Sequence, residues 1–522
     1  MKKLPVDISS FRAMIEGDYL YIDKTKAIYD LIMRRRLYFL SRPRRFGKSL
    51  LISTLQELFE GNKKLFDTTW IAAHGDYDWK KHPVLKFDFS EFNSKAYGDF
   101  ENYLVWILDY EARKHAIDLS WVAQSSGAKL RILIEQLSVN NPVVILIDEY
   151  DAPLLNNLKD EEIAKDIQQS MKYFFSVLKS LDASNYVRAI FITGITKFSK
   201  TSIFSGMNNL TDITLSPEAA TLLGYSQQEL HDNFKDNFIS FAQKEHSSLA
   251  EIKTVIQAWY NGYRFSRENV GVYNPYSIVH CFDQERLGNF WFETGTPSFL
   301  VGLLKNQYRY LENIEKMSVS ASFLGTFELS GELPLIPILF QTGYLTINDY
   351  DKKTDSYTLR YANIEVKESF KKYLALSLTY NAPQAVESAL SQFKTALLHN
   401  DMKLFCTTLT SFLANIPYQI HLDKEAYYHS ILHVVVDLLG FGAHSEVSSS
   451  NGILDMVIET ATMIFIFEFK FQSTAKVALN QILEKRYYEK YVALKKPIQL
   501  IGLSFNTKNK KLVIDWQSEN LE

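Results

Sequence analysis

The 522-residue sequence predicts an α/β protein with more than one domain. Between residues 30 and 200, short apolar runs alternate with segments of helical periodicity. This is the pattern of a three-layer domain with a mainly parallel sheet. Near the C-terminus, three strand-like segments follow a predicted helix, which indicates a second α/β domain. The chain between them has mainly helical or winged patterns and is rich in Tyr and Phe from Asn274 to Leu304.

The composition is that of a protein with ordinary cores, because 46% of the residues are apolar and 14% aromatic. No tract of eighteen apolar residues and no apolar N-terminal stretch occurs, so we expect a cytoplasmic protein without membrane association. Cys281 and Cys406 lie far apart, which argues against a disulfide framework or a zinc site. The net charge of −3 argues against constitutive coating of nucleic acid, although both ends of the chain are locally basic.

Residues 37–58 carry the first motif, an apolar run, a basic turn that ends in Gly47-Lys48-Ser49, and a helical pattern. A strand that leads through such a turn into a helix holds a phosphate, because the backbone N–H groups and the helix N-terminus face the anion. Arg42 occupies the position of the first glycine in the pattern G-x-x-x-x-G-K-[ST], so the strict pattern fails. A bare Gly-Lys-Ser is more often a surface turn, and that alternative stays open for the motif alone.

A second motif lies about 100 residues further on, where the aliphatic run from Pro142 precedes Asp148-Glu149. Five aliphatic residues between turn formers predict a buried parallel strand, and ligands bind at the carboxyl ends of such strands. Asp148 would hold Mg²⁺ and Glu149 would polarise the attacking water. The alternative, an acidic loop at a strand end, is weakened by the first motif.

The next predicted strand ends in polar residues that are weaker candidates for sensing the γ-phosphate: Thr193, Thr196 and Lys197. Asn261-Gly-Tyr-Arg264-Phe would supply a cationic lid or a sensor arginine, although an arginine between two aromatic residues is more often packed. Gly61 is the predicted C-cap of the helix after the first motif.

Seven segments together resemble the bacterial AAA-ATPase-like proteins that carry a C-terminal PD-(D/E)XK nuclease-like domain: SRPRRFGKSL, LIDEYDAPL, TGITKFSKTSIFSGMNNL, YNGYRF, VYNPYS, WFETGTPSFL and QTGYLTI. In that family Pro-Arg-Arg-Phe-Gly-Lys-Ser is the usual form of the P-loop. The resemblance implies a P-loop domain over 1–265, a mostly helical or winged accessory domain over 266–400 and a restriction-endonuclease-like α/β domain over 401–522.

The resemblance also implies that ATP and Mg²⁺ are the cofactors. The implied nucleotide-binding residues are Arg44, Arg45, Gly47, Lys48, Ser49, Leu50, Asp148, Thr193 and Thr196. Ser49 and Asp148 are the implied ligands of the nucleotide's Mg²⁺, and Glu149 is the implied catalytic residue.

The C-terminal constellation lies on three predicted strands, 443–447, 453–458 and 463–471, which follow a predicted helix over Leu422–Leu439. Glu468 and Lys470 emerge on one face of the last strand. A turn centred on residues 460–461 would place residue 455 opposite residue 466, so that Asp455 is a diagonal neighbour of Glu468. Two such carboxylates can share Mg²⁺, and the lysine can orient water or offset phosphate charge. The alternative is a solvated strand face with alternating charges.

The family pattern adds four accessory residues: Glu425, Glu446, Gln481 and Lys485. Gln481 and Lys485 are spaced i and i+4 on a predicted helix, where they would reach DNA phosphate or the nucleophilic water. The sequence departs from the family at Ile453, where an arginine is usual, and this weakens the expectation of efficient cleavage.

Two functions from different classes follow. The first is an ATP-regulated nuclease in which Asp455, Glu468 and Lys470 cleave a phosphodiester of nucleic acid, with DNA as the favoured substrate. The second is a nucleotide-switched binding protein whose nuclease-like domain recognises nucleic acid or a protein partner without cutting. A purely structural scaffold is the least favoured reading, and whether copies form a homo-oligomer is left open.

Overall fold

The structure, a computed structural model, describes residues 2–158, 160–198, 203–204, 207, 209–293, 300, 317–325, 334–379, 382–414, 425–439, 442–449, 452–508 and 511–521. The chain divides into two compact units. The first contains Met1–Phe299 and Glu315–Val366, and the second contains Leu300–Ile314 and Lys367–Glu522. This division follows spatial packing, and the three domains predicted from the sequence stay a prediction.

The first unit is built on a five-stranded sheet in the order β2-β3-β4-β1-β5, in which all neighbouring strands are parallel. Its strands are β1 (Leu37–Ser41), β2 (Val84–Asp88), β3 (Val143–Asp148), β4 (Val187–Gly194) and β5 (Thr211–Asp212). The predicted parallel α/β architecture is therefore confirmed. β3 is buried along its whole length, which explains its aliphatic run.

Helices precede, connect and follow the strands of this sheet along the chain. They are α1 (Phe11–Glu16), α2 (Thr25–Arg34), α3 (Lys48–Phe59), α4 (Trp70–His74), α5 (Ser94–Tyr97), α6 (Phe100–Lys114), α7 (Ser126–Leu137), α8 (Ala152–Asn156) and α9 (Glu161–Ala183). α3 ends one residue earlier than predicted, because Glu60 is its C-cap and Gly61 follows with a left-handed φ of 72°.

Later in the first unit, helices pack around an apolar cluster that includes Phe234, Phe238 and Phe282. These helices are α10 (Gln227–Asn233), α11 (Lys235–Lys244), α12 (Leu249–Tyr260), α13 (Pro275–Gln284) and α14 (Phe290–Glu293). They are followed by α15 (Ala321–Gly325), α16 (Leu335–Gln341) and a small sheet in the order β6-β8-β7. The strands of that sheet are β6 (Ser318–Ser320), β7 (Leu345–Asp351) and β8 (Ser356–Tyr361).

The second unit contains a five-stranded mixed sheet in the order β13-β12-β11-β10-β9. Its strands are β9 (Gly442–Ser449), β10 (Gly452–Glu459), β11 (Ile464–Phe471), β12 (Ile498–Lys508) and β13 (Lys511–Leu521). The described helices of this unit are α17 (Ile364–Thr379), whose first three residues belong to the first unit, α18 (Pro383–Leu398), α19 (Met402–Leu413), α20 (Glu425–Leu438), α21 (Ala475–Lys485) and α22 (Glu489–Val492). β11 and β12 are parallel and joined through α21, whereas the other neighbours are antiparallel. The three predicted strands are confirmed.

Close packing of α21 on β12 depends on Gly502. A Cβ atom added there would lie 2.3 Å from the carbonyl oxygen of Ala475 and 2.5 Å from the main-chain nitrogen of Leu479. Only glycine permits this approach of helix to strand. In the β11–β12 ladder Gly502 pairs with Glu468, so α21 approaches β12 beside that predicted metal ligand.

Among the described residues, no helix combines the length and the apolar character that a membrane span requires.

Candidate functional site

The loop between β1 and α3 has the backbone shape of an anion-binding turn. Arg45 and Gly47 adopt left-handed conformations, with φ of 64° and 92°, and α3 begins at Lys48. Successive backbone N–H groups in such a loop form a concave nest, and the first N–H groups of a helix lack intrahelical partners. The backbone of this loop therefore has the shape that main-chain binding of an anion requires.

The loop opens into a cavity of about 540 Å³ within the first unit. Seven residues predicted for the nucleotide site line it: Arg44, Arg45, Gly47, Lys48, Ser49, Leu50 and Glu149. The cavity is also lined by the N-terminal segment with Asp7 and Ile8 and by α13 with Tyr276 and His280. This volume lies in the range of sites that enclose a small ligand.

Lys48 points back across the loop, as a phosphate-binding lysine must. Its ammonium donates to the carbonyl oxygens of Arg42 and Pro43 at 3.2 Å each and lies 3.4 Å from Glu149 Oε1. Burial raises the pKa of Glu149, Lys48 opposes this rise, and the carboxylates of Asp151 and Asp148 reinforce it. Glu149 also holds a left-handed φ of 47°, an uncommon conformation for a residue with a side chain.

Asp148, Thr193 and Thr196 are not among the residues that line the cavity. Asp148 Oδ1 accepts hydrogen bonds from Thr193 Oγ1 at 2.6 Å and from the Glu149 N–H at 3.0 Å. Thr193 and Thr196 are fully buried. Thr193 therefore orients the Asp148 carboxylate, and any effect of Thr193 on a nucleotide passes through that carboxylate. Lys197, the third predicted sensor, forms an ion pair with Asp212.

Asp151 is a structural link that the sequence analysis missed. Its carboxylate accepts from the N–H groups of Ile195 and Thr196 and from Thr196 Oγ1, at 3.1, 2.6 and 2.6 Å. It thereby ties the turn after β3 to the end of β4. The available signal was a second aspartate two residues after Glu149, although its partners 44 and 45 residues away are not readable from a local pattern.

Asp88 is the second missed residue. It ends β2, pairs with Asp148 in the parallel register and lines the same cavity as Lys48. Parallel strands end at one edge of the sheet, so the polar residue that closes the β2 pattern was a readable signal.

Arg42 has a packing role. Its buried guanidinium donates to the carbonyl oxygens of Ser41, Thr214 and Ala219 at 2.9, 2.7 and 2.8 Å. It also lies over the ring of Phe265, 4.1 Å from the ring centroid. Arg42 is absent from the residues that line the cavity, so its departure from the glycine pattern leaves the phosphate-binding loop intact.

Arg264 is also a packed residue, which was the more frequent alternative for an arginine between two aromatic residues. Its side chain donates to main-chain carbonyl oxygens of Ser266, Arg267, Glu268 and Asn348. It is absent from the residues that line the cavity.

In the second unit, four predicted residues from β10, β11 and α21 converge. Lys470 Nζ donates to Glu468 Oε1 at 2.9 Å, and the Gln481 amide donates to the same oxygen. Asp455 Oδ2 accepts from the main-chain N–H of Phe469 at 2.6 Å. Lys485, the fourth residue after Gln481, is the last residue of α21 and is exposed.

The predicted register between the two strands is wrong by two residues. Met456 pairs with Phe467 and Glu459 with Ile464, so the turn is centred on residues 461–462. Continuing this register places Asp455 opposite Glu468, where the prediction had a diagonal pair. The parity of the pairing is unchanged, and the two carboxylates therefore stay on one face as predicted.

Glu468 has the features of a cation ligand. Its side chain is buried, and its Oε2 atom has no hydrogen-bond partner among the described residues. Burial and the Asp455 carboxylate raise the pKa of Glu468 to about 7, while Lys470 partly offsets this rise. A buried carboxylate oxygen without a partner is costly unless a cation or a proton meets it. The pair of carboxylates therefore fits a hard divalent cation.

The described residues contain no group of three or more His, Cys, Asp or Glu side chains arranged to hold a metal. Glu425 begins α20 and Glu446 lies in β9, but their side chains fall outside the described residues. In the β9–β10 register, the pairs Leu454↔Val447 and Met456↔Ser445 bracket position 446 opposite position 455.

A phosphate-binding loop on a parallel sheet, together with a carboxylate pair and a lysine on a mixed sheet, defines a protein with a P-loop domain and a nuclease-like domain. The family described as "Predicted AAA-ATPase" matches residues 5–204, and the PD-(D/E)XK nuclease superfamily matches residues 423–516. The chain is 36% identical over 526 residues to the "Uncharacterized protein in vnfD 5'region" of Azotobacter chroococcum mcd 1, with 98% of each chain covered. The chain thus belongs to the AAA-ATPase-like family with a C-terminal PD-(D/E)XK nuclease superfamily domain.

Proposed function

We propose that the chain binds and hydrolyses ATP in its first unit and cleaves phosphodiester bonds of nucleic acid, with DNA as the favoured substrate, in its second. The observation that carries the nuclease is the convergence of Asp455, Glu468, Lys470 and Gln481. The two family matches, to an AAA-ATPase-like and a nuclease superfamily domain, support the same pair of activities.

In the first unit, the nest of the loop and Lys48 would bind the phosphates. Ser49 would hold the Mg²⁺ that accompanies ATP directly, and Asp148, which does not line the cavity, would hold it through a water molecule. Glu149 would orient the attacking water once the nucleotide draws Lys48 toward its phosphates and relieves the ion pair of 3.4 Å.

In the second unit, Asp455 and Glu468 would hold a divalent cation, and Gln481 fixes the Glu468 carboxylate from the helix side. A divalent cation in such a site supplies positive charge beside the phosphate and lowers the pKa of a water molecule. Lys470 would offset the charge of the scissile phosphate, because its ammonium lies at the same carboxylate.

Nucleic-acid cleavage tests the nuclease half. The full chain is incubated with plasmid, linear and single-stranded DNA, and with RNA, in Mg²⁺ or Mn²⁺, with and without ATP. We expect Asp455→Asn, Glu468→Gln and Lys470→Ala each to lower the cleavage rate at least about 100-fold. Glu459→Gln is the matched control, since Glu459 lies at the far end of β10 and pairs with Lys496. Equal cleavage by the wild type and all three variants would refute the site.

ATP binding is tested separately by thermal unfolding. A ligand that binds only the folded state raises the unfolding temperature. We expect this increment to vanish in Lys48→Ala and to persist in Lys64→Ala, a substitution at an exposed residue. An undiminished increment in Lys48→Ala would show that ATP binds elsewhere.

The second candidate function, a nucleotide-switched binding protein, is favoured by Ile453, which stands where the family usually has an arginine. It would be supported by DNA binding that persists without cleavage in either metal.

A further inference from the structure

We propose that Glu365 is a positioning residue of the nucleotide site, acting through Trp291 and Ser277 on two segments that line the cavity. This inference rests on the proposed ATP-binding function and extends it to residues outside the two motifs.

Glu365 lies in the first turn of α17 and is fully buried. Its Oε1 accepts from the main-chain N–H of Trp291 at 2.7 Å, and its Oε2 accepts from Ser277 Oγ at 2.8 Å. A buried carboxylate loses its hydration, so charge-assisted hydrogen bonds must compensate for that loss and fix the donors in place. Each oxygen of Glu365 therefore holds a different segment of the first unit.

The first segment leads to the phosphate-binding loop. The indole Nε1 of Trp291 donates to the main-chain carbonyl oxygen of Arg44 at 3.0 Å. Arg44 lies three residues before Gly47 and lines the cavity. Trp291 thus connects Glu365 to the backbone of the loop in two hydrogen bonds.

The second segment is α13, which also lines the cavity. Ser277 lies in the first turn of α13, next to Tyr276, and α13 lines the cavity with Tyr276, Val279 and His280. The ring of Tyr276 also supports the guanidinium of Arg45, 4.7 Å from the ring centroid. A single carboxylate therefore fixes the phosphate-binding loop relative to α13.

Positions of this kind set affinity because a nucleotide that touches both segments binds best when their separation is already fixed. Glu365→Gln keeps the size of the side chain, and its amide can still accept from the Trp291 N–H while it donates to the rotated Ser277 hydroxyl. Both hydrogen bonds then lose the charge assistance that strengthens them. We expect the Kd for ATP to rise several-fold.

The experiment is an ATP titration of the full chain followed by thermal unfolding, with Glu368→Gln as the matched control. Glu368 lies on the same helix and is exposed, so its substitution should leave the Kd unchanged. A merely structural role would lower the unfolding temperature of the nucleotide-free protein but keep the ATP-induced increment. The inference requires a smaller increment at each ATP concentration.

Trp291→Phe is the second variant, and it keeps the inference testable if Glu365→Gln does not fold. It removes the indole donor to Arg44 together with part of the buried ring, and it retains the main-chain N–H that donates to Glu365. We expect a Kd for ATP raised several-fold. Unchanged affinity in this variant, or in folded Glu365→Gln, overturns the inference. If the affinity is unchanged in these variants but Lys48→Ala abolishes ATP binding, the proposed ATP-binding function holds and only the role of Glu365 is refuted. Absence of ATP binding by the wild type overturns the proposed function and the role of Glu365 together.

Discussion

The guanidinium of Arg42 shows how one residue can depart from a sequence motif without changing the backbone shape of the loop. The side chain turns away from the phosphate-binding loop and satisfies three main-chain carbonyl oxygens at the end of β1 and beyond β5. Burial lowers the pKa of Arg42 to about 9, and Asp212 opposes this shift. The hydrogen bonds therefore have to offset the desolvation of a charge.

We expect Arg42→Ala to destabilise the protein without improving ATP binding. Removal of the guanidinium leaves the carbonyl oxygens of Thr214 and Ala219 buried and without this donor, at a cost of about 3 kcal/mol in the free energy of unfolding. Urea denaturation measures this cost. Arg34→Ala is the control, because its ion pair with Glu218 is exposed and contributes little. Tighter ATP binding by Arg42→Ala would contradict the packing role.

At Glu468 the raised pKa predicts a pH dependence of both metal binding and stability. The folded pKa is about 7, above the ordinary value of 4.5. Between these two values the folded chain binds more protons than the unfolded chain, so stability falls as pH rises from 4.5 to 7. Above pH 7 the buried charge is fully present in the absence of metal.

Glu468→Gln should therefore stabilise the metal-free protein more at pH 8 than at pH 5. The measurement compares unfolding temperatures of both proteins at the two pH values with a chelator present. In the wild type, divalent metal should bind more weakly below pH 7, because the ligand then carries a proton. An equal temperature difference at pH 5 and pH 8 would mean that Glu468 is already ionised at pH 5.

At the scale of elements, the contact between α21 and β12 decides where Gln481 lies. Gly502→Ala places a Cβ atom against main-chain atoms of α21, which cannot move as a side-chain tip can. We expect a loss of about 2 kcal/mol in the free energy of unfolding. We also expect slower cleavage, because α21 carries the amide that fixes Glu468. Gly325→Ala is the control, since an added Cβ there meets nothing within 4 Å. Equal stability of the two variants would show that α21 adjusts freely.

Sequence patterns predicted the elements that are encoded locally. β1, α3 and β3 follow from apolar runs and helical periodicity, and the face shared by Asp455 and Glu468 follows from the two-residue period of strands. The register itself could not be predicted, because it depends on a turn closed by hydrogen bonds between Thr460 and Met463.

The partners of the site residues were beyond sequence patterns for a different reason. Arg42 contacts carbonyl oxygens 172 and 177 residues away, and Asp151 contacts groups 44 and 45 residues away. Such contacts come from the order of strands in the sheet, where β4 lies between β1 and β3 and β5 lies beside β1. A single sequence carries no local signal for that order.

At the scale of the whole molecule, the two proposed sites belong to separate compact units of one chain. If ATP regulates cleavage, the two binding events must be coupled, and coupling between binding events is reciprocal. A factor by which ATP tightens DNA binding is then the same factor by which DNA tightens ATP binding.

We expect this factor to be about tenfold and to be measurable without cleavage in Glu468→Gln, which keeps every residue proposed for the nucleotide site. The Kd for ATP is determined with and without saturating DNA, and the Kd for DNA with and without saturating ATP. In the double variant Lys48→Ala/Glu468→Gln the effect of ATP on DNA affinity should disappear, because the nucleotide no longer binds. The DNA affinity without ATP should stay that of Glu468→Gln. If both affinities are instead independent of the other ligand, the two units work separately and the first does not control the second.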